Sequence, residues 1–197
     1  MRDRSFRWLR TQLFFALLVF SCTGTEISQT RVDDAYKGPP LTNILVIAVT
    51  GNEHNRRTYE KKFVARLKLV GVAAVASEES LPMPPDLKLE KQPILNAVAQ
   101  YGNDAVIITQ LVSKEKEEVY TRGGAARIGF FRYTRDPGTS STNTTVRLET
   151  NLYDAKTGRL IWSGQSKTMS KDTTDRLMND EIKAVINNWQ KNKLIAP

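Results

Sequence analysis

The segment NILVIAVTG, residues 43–51, constrains the fold more than any other part of the chain. Six consecutive apolar side chains, four of them β-branched, lie between Asn43 and Thr50. A run this short and this apolar, closed by Gly51, predicts a strand buried on both faces, as occurs in parallel sheets covered by helices. We therefore expect an α/β core built around this strand.

The segments after Gly51 alternate between helical and extended patterns. The next twenty residues carry apolar side chains at helical spacing and end at Gly71, which indicates a helix over residues 53–68. Two further strands and one more helix are predicted in VAAVAS (72–77), PILNAVAQYG (93–102) and DAVIITQLVS (104–113). The order βαβαβ implies parallel pairing with right-handed connections.

The C-terminal third predicts a hairpin followed by a helix. Polar and apolar residues alternate from Val146 to Leu152 and again from Leu160, and Gly158 stands at a left-handed turn position between them. The last segment places Met178, Ile182, Val185, Ile186 and Trp189 on one helical stripe. The predicted fold class is α/β, a single domain of two or three layers over residues 43–197, with a mixed five-stranded sheet in the order βαβαβ-loop-ββ-α.

The N-terminus has the pattern of a cleaved signal peptide over residues 1–21. Four arginines and one aspartate precede an uncharged apolar stretch from Leu13 to Phe20. Eight residues span about 12 Å as a helix, far short of the roughly 30 Å hydrocarbon core of a bilayer. Cleavage would lower the formal charge from +8 to +5.

Cys22 is the only cysteine of the chain and is predicted to carry lipid. Val19, Phe20, Ser21 and Cys22 resemble a bacterial lipobox, although Phe20 departs from the small or aliphatic residue usual at its position. The alternatives are a chance cysteine in an ordinary export signal and an uncleaved anchor. The resemblance implies acylation, including palmitate, and Thr23 after the cysteine favours the outer membrane over the inner one.

Residues 22–42 are polar and end in Gly38-Pro39-Pro40, so they are predicted to form a flexible tether.

A segment of 23 residues, 121–143, is predicted to be a long loop that contacts a partner or a membrane. Loops of this length are uncommon unless functional or disordered. Arginine interleaved with aromatic side chains favours protein interfaces and anionic headgroups. An arm whose aromatics pack on its own sheet, and disorder, are the alternatives. The candidate contact residues are Arg122, Arg127, Phe130, Phe131, Arg132, Tyr133 and Arg135.

Catalytic and metal chemistry find little support in the sequence. His54 is the only histidine, and no G-x-G-x-x-G or Walker A pattern occurs. Glu53 with His54, and Glu149, are more typical of solvated surface positions than of acid–base catalysts. The excess of basic over acidic residues is modest, and no nucleic-acid-binding motif accompanies it. On helix 53–68, a solvated outer face explains the basic residues without a partner. We therefore expect no enzyme activity, no cofactor, no metal site and no nucleic-acid partner.

The pieces ILVIAVTGN, KFVARLKLVGV, YGNDAVIITQLVSKEKEEVY and RLETNLYDAKTGRLIWSGQSKT, together with the lipobox, resemble a family of small proteobacterial lipoproteins of uncharacterised function. In layout the chain is more distantly similar to the N-terminal domain of the translocation protein TolB, to lipoprotein activators of peptidoglycan synthases and to the curli secretion channel lipoprotein. The resemblance implies a lipid-anchored module on the periplasmic face of the outer membrane. It would bind an envelope protein or peptidoglycan, or alternatively form rings in an envelope transport or secretion assembly.

Overall fold

The apolar run that begins at Asn43 forms a central strand of a mixed sheet. The computed structural model describes residues 25–121, 125–128, 131–135, 139–170 and 173–196. Within these ranges six strands form one sheet in the order β1-β8-β7-β4-β2-β3, and β5 and β6 form a separate two-stranded sheet. The elements in chain order are β1 (Glu26–Val32), β2 (Asn43–Val49), α1 (Glu53–Leu69), β3 (Ala73–Ala76), α2 (Lys91–Tyr101), β4 (Ala105–Thr121), β5 (Ala125–Ile128), β6 (Phe131–Arg135), β7 (Thr139–Asp154), β8 (Leu160–Ser170) and α3 (Thr174–Lys191).

The predicted α/β class is confirmed by the pairing of the strands. β2 is parallel to both β3 and β4, while β7 is antiparallel to β4 and β8 is antiparallel to β7. The turn between β7 and β8 contains Gly158 at φ +70°, a left-handed conformation that favours glycine. The Asp154 side chain accepts hydrogen bonds from the backbone N–H and the hydroxyl of Thr157, and these bonds stabilise the turn.

Helices cover both faces of β2, so the parallel part of the domain has three layers. Ile44 and Val46 point to the face that packs against α1 and α3. Leu45 and Ile47 point to the opposite face, where they pack with Ala97 of α2. Alternate side chains of one strand therefore enter two separate apolar clusters, which explains why the run is apolar without interruption.

The core on the α1 and α3 face is centred on three aromatic residues. The Trp162 and Trp189 ring centroids are 5.7 Å apart in an edge-to-face arrangement, and Phe63 lies 5.8 Å from Trp189. The indole N–H of Trp162 donates to the side-chain oxygen of Asn188 at 3.0 Å. The predicted stripe of α3 is buried here, since Ile182, like Trp189, is at most 2% exposed.

The sheet has a sixth strand where the sequence predicted part of a flexible tether. Residues 26–32 form β1 and pair antiparallel with β8, so the tether prediction is wrong for this stretch and the five-stranded count is corrected. Ile27 and Val32 both pack against the core although they are five residues apart. The register shifts between Ser28 and Thr30, and a bulge of this kind returns both side chains to one face. The strict two-residue alternation that signals a strand is therefore absent from the sequence.

The predicted loop 121–143 also contains regular structure. β4 continues to Thr121, β7 begins at Thr139, and the residues between them include β5 and β6. The strand ends are rich in serine, threonine and charged residues, so no apolar pattern indicates them. Backbone pairing and the β propensity of threonine account for the extended structure. In the described ranges, no helix is long and apolar enough to cross a membrane; the predicted signal peptide lies outside them.

Candidate functional site

The longest strands of the domain form a ribbon that extends past the rest of the sheet. β4 and β7 pair from Ala105 opposite Asp154 to Thr121 opposite Thr139. The pairing of β2 with β4 ends at Gln110, and that of β8 with β7 ends at Thr144. At about 3.4 Å per residue, the ribbon extends roughly 37 Å beyond β2 and roughly 17 Å beyond β8. We call residues 117–121 with 139–143 the distal ribbon.

Most of the predicted contact residues lie on the short hairpin that follows the distal ribbon. Arg127 pairs with Arg132, and Ala125 pairs with Arg135, across β5 and β6. Phe131 and Tyr133 are also part of β6. Arg122, Phe130 and the predicted lipid site Cys22 lie outside the described residues. The hairpin therefore brings five of the seven candidate contact residues onto one small element.

The distal ribbon has only two strands in the part of the chain that the structure describes. Two-stranded ribbons are at best marginally stable in water without a third strand or a packed face. Among the described residues, no strand pairs with either outer edge of the distal ribbon, and unpaired strand edges are templates for strand addition. These features are typical of a segment that pairs with another chain.

A second candidate site lies at the base of the ribbon, on the face covered by α1 and α3. Glu181 is 1% exposed, and each carboxylate oxygen accepts one hydrogen bond. The donors are the Tyr59 hydroxyl at 2.7 Å and the Thr150 hydroxyl at 3.2 Å. Thr109 contacts both donors through its own hydroxyl, at 3.2 and 3.1 Å. Burial raises the pKa of Glu181 to about 7, although the hydrogen bonds from Tyr59 and Thr150 act to lower this pKa.

Glu181 lines a cavity of about 140 Å³. The cavity lies beyond the carboxyl end of β2, the edge at which open α/β sheets bind ligands. Its deep end is formed by buried residues that include Tyr59 and Glu181, and its mouth by the exposed residues Gln110, Leu111 and Lys114. The walls between them are mainly apolar: Ala48, Val49, Val146, Leu148, Leu177 and Met178.

A second buried glutamate, Glu60 of α1, has a different environment. One of its oxygens accepts from the Arg56 guanidinium at 3.1 Å, the Ala48 backbone N–H at 2.9 Å and the Ser77 hydroxyl at 2.9 Å. The other oxygen accepts from the Glu78 backbone N–H at 2.9 Å. Burial raises the pKa of Glu60, and these donors offset part of the rise. Glu60 therefore has a cationic partner and a full set of donors, and it stabilises the junction between α1, β2 and β3.

The other residues weighed in the sequence do not form a catalytic cluster. Glu53 and His54 are exposed in the first turn of α1. Glu149 is half-buried on β7 and accepts from the Asn151 side chain at 2.9 Å. Among the described residues, no group of three or more histidine, cysteine, aspartate or glutamate side chains is placed to hold a metal ion.

Neither buried glutamate was predicted from the sequence, although helical spacing gives a signal for each. Glu181 is three residues after Met178 and four before Val185, so it belongs to the stripe predicted to be buried. Glu60 likewise lies three residues before Phe63. The expectation of a solvated outer face for the basic residues of α1 is wrong for Arg56, which is 1% exposed. A charged residue at an apolar position of a helix indicates a buried polar network.

No family profile and no curated protein matches the chain. Solved structures with a similar chain path include a PelC dodecamer from Paraburkholderia phytofirmans, with a TM-score of 0.48 and 11% identity, covering 88% of this chain and 99% of that one. The lipoprotein GNA1162 from Neisseria meningitidis has a TM-score of 0.44 and 17% identity, covering 76% of this chain and 99% of that one. Both are distant likenesses.

Proposed function

We propose that this chain is a lipid-anchored, non-enzymatic assembly module on the periplasmic face of the outer membrane, which binds an envelope protein or peptidoglycan through the distal ribbon and its hairpin. The observation that carries the proposal is the ribbon itself. It extends roughly 17 Å beyond its last neighbouring strand and ends in a hairpin that contains Arg127, Phe131, Arg132, Tyr133 and Arg135.

The chemistry of the ribbon supports binding and not catalysis. Arginine and aromatic residues are enriched at protein interfaces, and arginine also pairs with anionic groups of glycans and lipids. A lipid on Cys22 would confine the domain to the membrane surface and so raise its effective concentration near a partner in the envelope.

A ring of identical copies is the second candidate function. In sequence, the segment around residues 121–135 shows strand alternation poorly, which argues against strands that join copies. β4 and β7, however, are 17 and 16 residues long, and both edges of the distal ribbon are open within the described residues. The free edge of β4 in one copy could pair with the free edge of β7 in the next copy. Such a contact uses two different surfaces of the chain, and its repetition forms a closed ring when the rotation between neighbouring copies returns to the first copy.

Deletion of residues 122–135 is expected to abolish crosslinked adducts in living cells. The deletion removes the hairpin and leaves both strands of the ribbon, which a short Gly-Ser connection can join. Adducts are measured by mass after crosslinking of wild-type and deleted chains. A foreign adduct lost on deletion supports a module that binds a partner, and a ladder of multiples of this chain supports the ring.

Two charge variants show whether the arginines carry the contact. The test variant replaces Arg122, Arg127, Arg132 and Arg135 with serine. The control replaces four exposed lysines elsewhere on the domain, Lys68, Lys156, Lys183 and Lys191, with serine, so that the total charge changes equally. Loss of the adducts in the test variant alone is expected. Adducts that persist in both the deleted chain and the test variant would contradict the proposal.

Cys22→Ser is expected to abolish incorporation of radiolabelled palmitate, because the sulfur atom is the proposed site of acylation. Labelling is measured on the immunoprecipitated chain from cells that express the wild type or the variant, with total protein quantified in parallel. Equal labelling of the two chains would contradict the lipid anchor and leave the test of the ribbon unaffected.

A further inference from the structure

The two buried glutamates differ in a way that points to a ligand. Glu60 has Arg56 as a cationic partner, whereas no ion pair to Glu181 occurs among the described side chains. Burial of an unpaired carboxylate is costly, and proteins normally offset the cost with a cation or with several hydrogen bonds. Glu181 accepts two hydrogen bonds, while an ionised carboxylate has about four acceptor sites.

Glu181 lines a space that can hold a small molecule. The cavity has a volume of about 140 Å³. Its size resembles that of an engineered apolar cavity of about 150 Å³ that binds benzene. Valine, leucine and methionine side chains form most of the apolar walls. The polar lining residues at the buried end include Tyr59, Thr109 and Glu181, and those nearer solvent include Asn55, Gln110, Lys114 and Thr174. An occupant is therefore expected to be apolar over most of its surface and polar at one end.

We propose that this cavity binds a small organic amine, with an apolar body about the size of a benzene ring and an ammonium group that donates hydrogen bonds to Glu181. The cation would supply the missing counter-charge. The groups around the carboxylate are hydroxyls, from Tyr59 on α1, Thr109 on β4 and Thr150 on β7. Lys114 lines the cavity at its exposed mouth, where water screens its charge.

The ammonium group sets this ligand class apart from neutral molecules of the same shape. A hydrogen bond to a charged group contributes more than a neutral one, and burial strengthens the attraction of opposite charges. A neutral alcohol would fill the apolar walls equally well but would leave the carboxylate without a counter-charge. Affinity for the amine should therefore depend on the ionisation of Glu181, and affinity for the alcohol should not.

Titration calorimetry with benzylamine and benzyl alcohol tests the proposal. At pH 8 the wild-type chain is expected to bind benzylamine at least about tenfold more tightly than benzyl alcohol. Glu181→Gln should weaken benzylamine binding at least about tenfold and change benzyl alcohol binding by less than about threefold. Asp180→Asn removes the same charge from the adjacent, half-buried position of α3, which does not line the cavity, and should behave as the wild type.

A pH series on the wild-type chain gives a test that does not depend on the folding of a variant. Between pH 8 and pH 5.5, Glu181 takes up a proton while benzylamine remains a cation. Benzylamine affinity should fall at least about tenfold over this range, and benzyl alcohol affinity should stay constant. Absence of benzylamine binding at millimolar concentration, an equal loss of both probes in Glu181→Gln, or a benzylamine affinity independent of pH would each overturn the proposal.

Discussion

Replacing Glu181 with glutamine is expected to remove a large part of the pH dependence of folding stability. The pKa of Glu181 is raised from 4.5 to about 7 in the folded chain. Between these values the folded state holds a proton that the unfolded state releases, so the contribution of Glu181 is fully present below pH 4.5 and is lost as pH rises through 7. A shift of about 2.5 pKa units corresponds to about 3 kcal/mol.

The measurement is the free energy of unfolding in urea from pH 4 to pH 8.5 for the wild type, Glu181→Gln and Asp180→Asn. The stability of Glu181→Gln relative to the wild type should rise by about 3 kcal/mol across this range, since only the wild type must ionise a buried carboxyl. Asp180→Asn should show no comparable change. A constant difference between Glu181→Gln and the wild type at every pH would mean that Glu181 does not titrate in this interval.

Replacing Arg56 with methionine is expected to destabilise the fold by about 4 kcal/mol at pH 7.5. Arg56 donates to Glu60 at 3.1 Å, to the Ser77 hydroxyl at 2.9 Å and to the Leu81 carbonyl oxygen at 2.6 Å. Methionine keeps much of the side-chain volume but leaves Glu60 as a buried carboxylate without its cation. Loss of one partner from a buried ion pair typically costs about 3–5 kcal/mol.

The adjacent residue provides a matched control. Arg57 is 56% exposed and pairs with Glu78 at 2.7 Å, and Glu78 also keeps Lys61 at 3.0 Å. Because Arg57 is largely exposed and Lys61 remains to pair with Glu78, Arg57→Met should cost less than about 1 kcal/mol. The double variant Arg56→Met/Glu60→Gln should be more stable than Arg56→Met alone at pH 7.5. Equal losses for Arg56→Met and Arg57→Met in urea unfolding would contradict the importance of the buried pair.

The acid limb of the Arg56→Met curve distinguishes an unpaired charge from simple loss of packing. Without Arg56, the pKa of Glu60 rises further above its unfolded value. The loss of unfolding free energy relative to the wild type should therefore be smaller near pH 4, where Glu60 of the variant is mostly neutral in both the folded and the unfolded state. The loss should grow as pH increases. A packing defect would give the same deficit at every pH.

The parts of the fold that the sequence predicts are those in which apolar residues are continuous or recur at a regular spacing. The run from Ile44 to Val49 is continuous, the stripe of α3 recurs at helical spacing, and β7 and β8 alternate; each forms the predicted element. β1 escaped prediction because its bulge breaks the alternation between Ile27 and Val32. β1 lies at the sheet edge and buries only a few side chains on one face, so no other sequence pattern predicts it.

The candidate sites were predictable to different degrees for the same reason. The arginine and aromatic composition of residues 122–135 identifies an unusual segment, but the sequence does not indicate that strands support it. The cavity requires three-dimensional information, because Tyr59, Thr150 and Glu181 come from distant parts of the chain. Their hydroxyl and carboxyl groups meet only when α1, β7 and α3 pack together.

Strand β1 also determines the length of the linker between the folded domain and the predicted lipid anchor at Cys22. Only three residues separate Cys22 from Glu26, and four peptide units span at most about 14 Å. A flexible segment of about twenty residues would have allowed excursions of about 25 Å. With a lipid on Cys22, the β1 edge of the sheet would lie against the headgroups and the domain could not tumble freely. The domain would then keep a restricted orientation relative to the membrane. The distal ribbon would stay within a narrow range of distances from the bilayer and would contact only partners at that distance.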